Sequence, residues 1–231
     1  MLPRLLPLLA GLLPFIAMTG AFLIGVAYET LPACNPFFDG CVSISATGRK
    51  PPGSFLFRAI MLPYTVVLVF LWYFAIHWLR GLDADLPRRA SLSIVIAGVV
   101  GAAAIVIYVT FLGTKLPIYE FMRRIGIYFG FLGTGLAQLF ISVALLRIAK
   151  GLPQFRLTGK ARTMLGLSLA LIGLGVLNVL LRAILDDTDQ IENIIEWFAG
   201  LVLQVHFVLM FFVWRETGLD VSVRIRKPGV R

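Results

Sequence analysis

Six apolar runs, near residues 5–27, 58–80, 91–113, 124–148, 163–185 and 194–214, dominate this 231-residue sequence. Each is long enough to cross a hydrocarbon core as a helix, which takes about 20 residues. A soluble core of this size cannot hide so many such segments. Hydrophobic residues make up 59% of the chain and charged residues only 14%, so lipid has to be part of the solvent. The runs are continuously apolar rather than alternating, which argues for helices and against a β-barrel. The expected fold class is therefore all-α: a polytopic membrane protein whose six transmembrane helices form one bundle, a single domain over residues 1–231. The first run follows "MLPR" and has no convincing small-x-small cleavage site. We therefore expect it to be retained as a span rather than removed as a signal peptide.

An even number of spans brings both termini to one side. Of the lysines and arginines, 14 fall on that side and 7 on the other. The positive-inside rule then predicts cytoplasmic N- and C-termini, with the loop over residues 28–57 in the periplasm, a lumen or the exterior. A bacterial inner membrane and a eukaryotic endomembrane or plasma membrane are both compatible with this pattern. The net charge of +9 is not a nucleic-acid signature, because the basic residues stand in short groups between apolar runs. No nucleic-acid partner, cofactor or metal is expected. The loops carry no HExxH, GxSxG or cysteine–histidine pattern, and "GFLGTG" lies within a span and lacks the lysine of a P-loop.

The longest polar interruption in the first half is "CNPFFDGCVSISATGRKPPGSFLFR", residues 34–58, which contains the only two cysteines. The compartments open to this loop permit disulfides, so Cys34 and Cys41 can pair and close "NPFFDG". Such a bond contributes about 2–3 kcal/mol by restricting the unfolded chain. The alternative is a pair of unbonded thiols.

Polar groups inside spans are costly in lipid and need a partner or a watery cavity. The fourth span carries Arg124, Tyr128, Phe131, Gly135, Gln138 and Ser142 at steps of three and four, which reads as one helical face. The sixth repeats the pattern with Glu196, Ala199, Leu203, His206 and Met210, placing His206 about 15 Å deeper than Glu196. The fifth adds Leu171, Gly175, Asn178 and Arg182. If these faces meet, Arg58, Arg123, Arg124, Arg182, Glu192, Gln138 and Asn178 form a headgroup-binding set, and His206 and Glu196 are candidate acid–base residues. Structural roles stand beside these. Arg124 or Arg182 can tie helices together through Glu196, Arg58 and Arg123 can snorkel to phosphates, and His206 can bond to Gln138 or Asn178.

"VSISATGRKPPGSFLFR" running into the second span, "YEFMRRIGIYFGFLGTGLAQLF" into the fourth and "ENIIEWFAGLVLQVHF" through the sixth are similar to segments of the DRAM/Frag/Sfk superfamily of six-span membrane proteins. The resemblance implies a lipid-handling protein of the Frag type, related to remodelling of the lipid of GPI anchors. Glu196, Trp197 and His206 would match the family's Glu-aromatic opening and deeper histidine, and the loop would form an outward-facing lid. The expected partners are membrane lipids, phospholipid or glycolipid, together with other membrane proteins. Two alternatives remain: a non-enzymatic scaffold or regulator of lipid organisation, and a small transporter or proton path. The tail "RIRKPGVR" would add attraction to anionic lipid of roughly 1 kcal/mol per basic residue.

Overall fold

The computed structural model describes residues 2–185 and 187–220. Asp186 and the basic tail "RIRKPGVR" lie outside the described residues. The described chain is all-helical, with six helices long and apolar enough to span a membrane. They are α1 (Leu6–Ala27), α3 (Gly53–Leu82), α4 (Arg88–Thr110), α5 (Pro117–Ala149), α6 (Leu157–Ile184) and α7 (Asp189–Glu216), and a single turn, α2 (Ile44–Thr47), lies between α1 and α3.

Helices carry these spans because lipid offers no partner for backbone N–H and C=O groups, and a helix satisfies them within the segment. Several helices outrun their apolar stretch. The second and fourth spans, expected over 58–80 and 124–148, are Gly53–Leu82 and Pro117–Ala149. A helix continues until its backbone is broken or capped, not until its side chains turn polar. Here Pro117 starts α5 seven residues before the expected boundary, where its missing N–H costs nothing.

Each spanning helix packs against the next in the chain, and α7 returns to pack against α1, so the six form a closed ring. Short connections between antiparallel neighbours produce this arrangement. One end of the ring carries the start of α1 and the end of α7. There Arg4 donates to the carbonyl of Leu219, Lys160 pairs with Glu216, and Trp78 Nε1 donates to Thr217 Oγ1 at 2.9 Å. The other end carries residues 28–52 and is called the loop end below.

Apolar side chains gain little by leaving lipid for one another, so membrane helices associate where small residues let backbones approach. The α4–α5 seam is built this way. A Cβ added to Gly126 would lie 2.7 Å from the Ala104 carbonyl, and one added to Gly133 would lie 2.7 Å from the Ala97 carbonyl and from the Gly101 backbone. Elsewhere the ring is filled by large side chains, among them Trp72, Trp197, Trp214, Phe57 and Phe207. By contrast α6 is loosely held. Its buried residues are Leu157, Ala161, Met164, Ser168 and Leu171, and none lies beyond Leu171.

Replacing Gly133 by Leu should force α4 and α5 apart and destabilise the bundle by about 1–3 kcal/mol. Gly173 has open space around it, so Gly173→Leu should leave the midpoint of thermal unfolding in detergent nearly unchanged. Equal effects of the two substitutions would refute the seam.

Candidate functional site: a roofed cavity inside the helix ring

The loop end is closed by the segment that the sequence singles out. Cys34 and Cys41 are joined, with Cα atoms 6.7 Å apart. Within the closed turn the Asp39 carboxylate accepts from the Asn35 N–H at 2.8 Å, and the Asn35 side chain accepts from the Phe37 N–H at 3.1 Å. This turn docks onto the first turns of α7. Gln190 Nε2 donates to the Asp39 carbonyl, Asn193 Nδ2 to the Gly40 carbonyl and Trp197 Nε1 to the Val42 carbonyl, each at 2.8 Å. Gly40 adopts a φ of +58° against the Gln190 carbonyl, where a Cβ would sit 2.1 Å from that oxygen. Only glycine fits there. Phe37 closes the contact edge-on to Trp197, with ring centroids 5.2 Å apart.

The segment then crosses the ring. Ser43 caps α2 by accepting from the Ala46 N–H at 3.1 Å. On the far side, Gly48 packs on Leu112 and Phe57, and the Arg49 carbonyl abuts Gly113, whose φ is +84°. Arg58 donates to the Leu112 carbonyl, which fixes the start of α3 to the turn between α4 and α5. The roof is thus anchored on α7 at one edge and on that turn at the other.

Beneath it lies a cavity of about 90 Å³ lined from α1, α3, α4, α5 and α7. A single water needs roughly 10–15 Å³ measured this way, so the space admits several waters or a short length of hydrocarbon. From Glu196 to Gln204 on α7, and from Gly126 to Thr134 on α5, the lining spans eight residues, or about 12 Å of depth. Met18, Phe57, Met61, Leu203 and Phe207 make most of the wall apolar. Tyr108 and Glu196 supply polar groups near the roof, and Thr134 and Gln204 supply them at the floor. The Tyr108 hydroxyl, Thr134 Oγ1 and Gln204 Oε1 are buried and have no partner among the described residues. Leaving such atoms unpaired costs about 1–3 kcal/mol each.

Glu196 is the charged group of the lining. Its carboxylate accepts from the Ser45 N–H at 3.4 Å, and the Ser45 hydroxyl accepts from the Arg49 guanidinium at 2.9 Å. Partial desolvation and then repulsion from Arg123 lower the pKa of Arg49, while Tyr108, Glu196 and Glu120 act on it in the opposite sense. Arg49, Arg123, Tyr108 and Glu196 therefore share one electrostatic neighbourhood at the roof.

The remaining sequence-predicted residues do not all converge there. Arg124, expected to be the headgroup cation, is exposed. Arg123, one residue earlier, holds the half-buried position beside Arg49. Arg182 does not reach Glu196. It bonds to Glu192 at 2.6 Å and to the Tyr128 hydroxyl at 3.1 Å, on the outside of the ring. Gln138 is buried and donates to the Leu203 carbonyl at 2.9 Å. Asn178 is half-buried on α6, and its Oδ1 has no partner among the described residues.

His206 is fully buried but does not line the cavity. Its side-chain partner is neither Gln138 nor Asn178, although the Gln138 backbone carbonyl lies within its reach. Nε2 lies 2.9 Å from Ser142 Oγ, which is itself 3.5 Å from Ser168 Oγ, so the ring sits in a small polar cluster between α5, α6 and α7. Of the two acid–base candidates, only Glu196 touches the cavity. Among the described residues no group of three His, Cys, Asp or Glu side chains is arranged to hold a metal ion.

Sequence reasoning missed Arg49, Tyr108, Thr134 and Gln204. Gln204 had a legible signal, an amide in the middle of an apolar run two residues before His206. Thr134 was hidden in "GFLGTG", where the glycines drew attention, and Tyr108 reads like any aromatic near a membrane boundary.

No protein-family model matches this chain, and neither a curated protein nor a solved structure is detectably similar to it.

Two outcomes are expected. A maleimide should fail to label the unfolded, unreduced protein and should add to both Cys34 and Cys41 after reduction, as read by intact mass. Ser142→Ala should leave His206 Nε2 unpaired and lower stability by about 1–3 kcal/mol, read as a drop in unfolding midpoint.

Proposed function

We propose that this protein handles membrane lipid: it holds a phospholipid or glycolipid with its polar portion at the roof and an acyl segment in the cavity. The observation that carries the reading is the polarity of the void. Its walls are apolar, yet its loop end bears Glu196 with Arg49 and Arg123 beside it. An amphiphile matches that gradient, whereas a small polar solute would leave most of the wall unsatisfied. Arg49 and Arg123 suit a phosphate, and the Tyr108 and Thr134 hydroxyls suit ester or glycosidic oxygens.

Both termini lie in the cytoplasm on this reading, and the roof faces the periplasm, a lumen or the exterior. The uneven distribution of basic residues between the two ends supports this orientation. The likeness of the roof and of α7 to the DRAM/Frag/Sfk superfamily points the same way, toward proteins that remodel lipids. If turnover occurs, Glu196 is the group placed to act as acid or base. His206 would contribute through packing.

Native mass spectrometry of gently purified protein tests the proposal. Wild type should retain a bound lipid, and Glu196→Gln and Arg123→Ala should reduce occupancy at least about tenfold, as expected for loss of one charge-assisted contact. Arg124→Ala should retain it. Wild type without lipid, or loss only in variants that also melt early, would mean that these charges merely hold the roof in place.

A further inference from the structure

Glu196 lines an otherwise apolar wall with a group that accepts hydrogen bonds and gives none. A carboxylate has about four lone-pair positions. The roof meets two of them at most, through the N–H of Ser45, at 3.4 Å, and that of Ile44. Among the described residues no lysine, arginine or histidine stands within 4.0 Å of it. Glu196 also keeps accessible surface, whereas Ile195 and Trp197 on either side are buried. Its unfilled positions call for a donor from whatever occupies the void.

The charges at this end are ordered by depth. Ser45 is buried and turns its N–H to Glu196 and its hydroxyl to Arg49, which is exposed and takes no part in the lining. Arg123 precedes the lining residues Gly126 and Ile127 by three and four positions, one turn along the same face of α5. Neither guanidinium has a carboxylate within 4.0 Å among the described residues. From the void outward the order is thus carboxylate, then cations. Tyr108 stands near enough to Glu196 for the two to act on each other electrostatically, and its hydroxyl has no partner among the described residues.

We infer that the site selects amide-linked, hydroxylated lipids over diester glycerophospholipids, and that Glu196 is the residue that discriminates. The inference rests on the lipid-holding reading above and narrows its substrate class. With a phosphate at Arg49 and Arg123 and a chain in the void, the groups that link the two come level with Glu196. In a diester lipid those groups are esters, which only accept, so carbonyl oxygen meets carboxylate and neither is paired. An amide beside a free hydroxyl presents an N–H and an O–H at that level. Its carbonyl can still accept from Tyr108, so both protein groups are met at once.

The test offers detergent-purified protein an equimolar mixture of N-palmitoyl sphingomyelin and dipalmitoyl phosphatidylcholine, which share the phosphocholine headgroup. Native mass spectrometry counts what is retained. Wild type should hold sphingomyelin over phosphatidylcholine at least about tenfold, as expected for one charge-assisted hydrogen bond gained. Glu196→Gln, whose amide can donate to an ester, should bring the ratio to within about twofold of unity, with the loss falling on sphingomyelin. Arg124→Ala, at an exposed position, should keep the wild-type ratio. On wild type, sphingomyelin methylated at both its amide nitrogen and its hydroxyl should lose its advantage, a result that depends on no variant folding. Equal retention of the two unmodified lipids, or a preference that survives Glu196→Gln or the methylation, would overturn the selection and leave the binding proposal standing. A preference for phosphatidylcholine would do the same. Retention of neither lipid would overturn both proposals.

Discussion

The close approach of α4 to α5 sets the geometry of everything else. In lipid there is no strong apolar drive between helices, so backbone contact at Gly126, Gly133 and Gly101 is what fixes one pair of the ring. With those two helices so near, Tyr108 and Thr134 are held at the inner edge of their seam, where their hydroxyls reach the cavity wall. At the other extreme α6 buries no residue beyond Leu171. The ring is thus tightest at α4–α5, beside the cavity, and sparsest at α6.

The roof completes the site by a different kind of force. It is too polar to be held by lipid exclusion, and it uses directed hydrogen bonds from α7 side chains to its own backbone carbonyls. Three such bonds, each worth about 0.5–1.5 kcal/mol net, together with the disulfide, offset part of the ordering cost of the turn. The same contacts bring the Ser45 N–H to Glu196, so the anchoring of the loop and the placement of the carboxylate are one event.

The spans were legible because lipid imposes a minimum length of apolar sequence, and the cysteines and the loop stood out as the exceptions to it. The pairing of polar residues was legible only in part, for a geometric reason. Stripes drawn by steps of three and four drift when threes and fours are unevenly mixed. The ten residues from Glu196 to His206 turn the helix about 80° short of three full turns. His206 consequently faces Ser142 while Glu196 faces the cavity. The same arithmetic separates neighbours: Arg123 stands within about 20° of Gly130 on the cavity side of α5, whereas Arg124 lies about 100° further round. Choosing between adjacent arginines required the azimuth of α5, which depends on the glycine seam and on no local feature of "MRR".

Helix α7 therefore carries two separate polar systems on one apolar cylinder. Gln204 and His206 differ by about 160° around its axis, and each is buried in a different interface. His206 is bonded to Ser142 through Nε2, which suits a role in fixing α5 against α7, while its Nδ1 has no partner among the described residues. In the cavity group, Tyr108, Thr134 and Gln204 keep oxygens with no partner among the described residues. Buried polar atoms retained without partners are destabilising unless something else bonds them. Around this one void stand three such oxygens, near and below a carboxyl group, which is where a ligand or ordered water can supply the missing half.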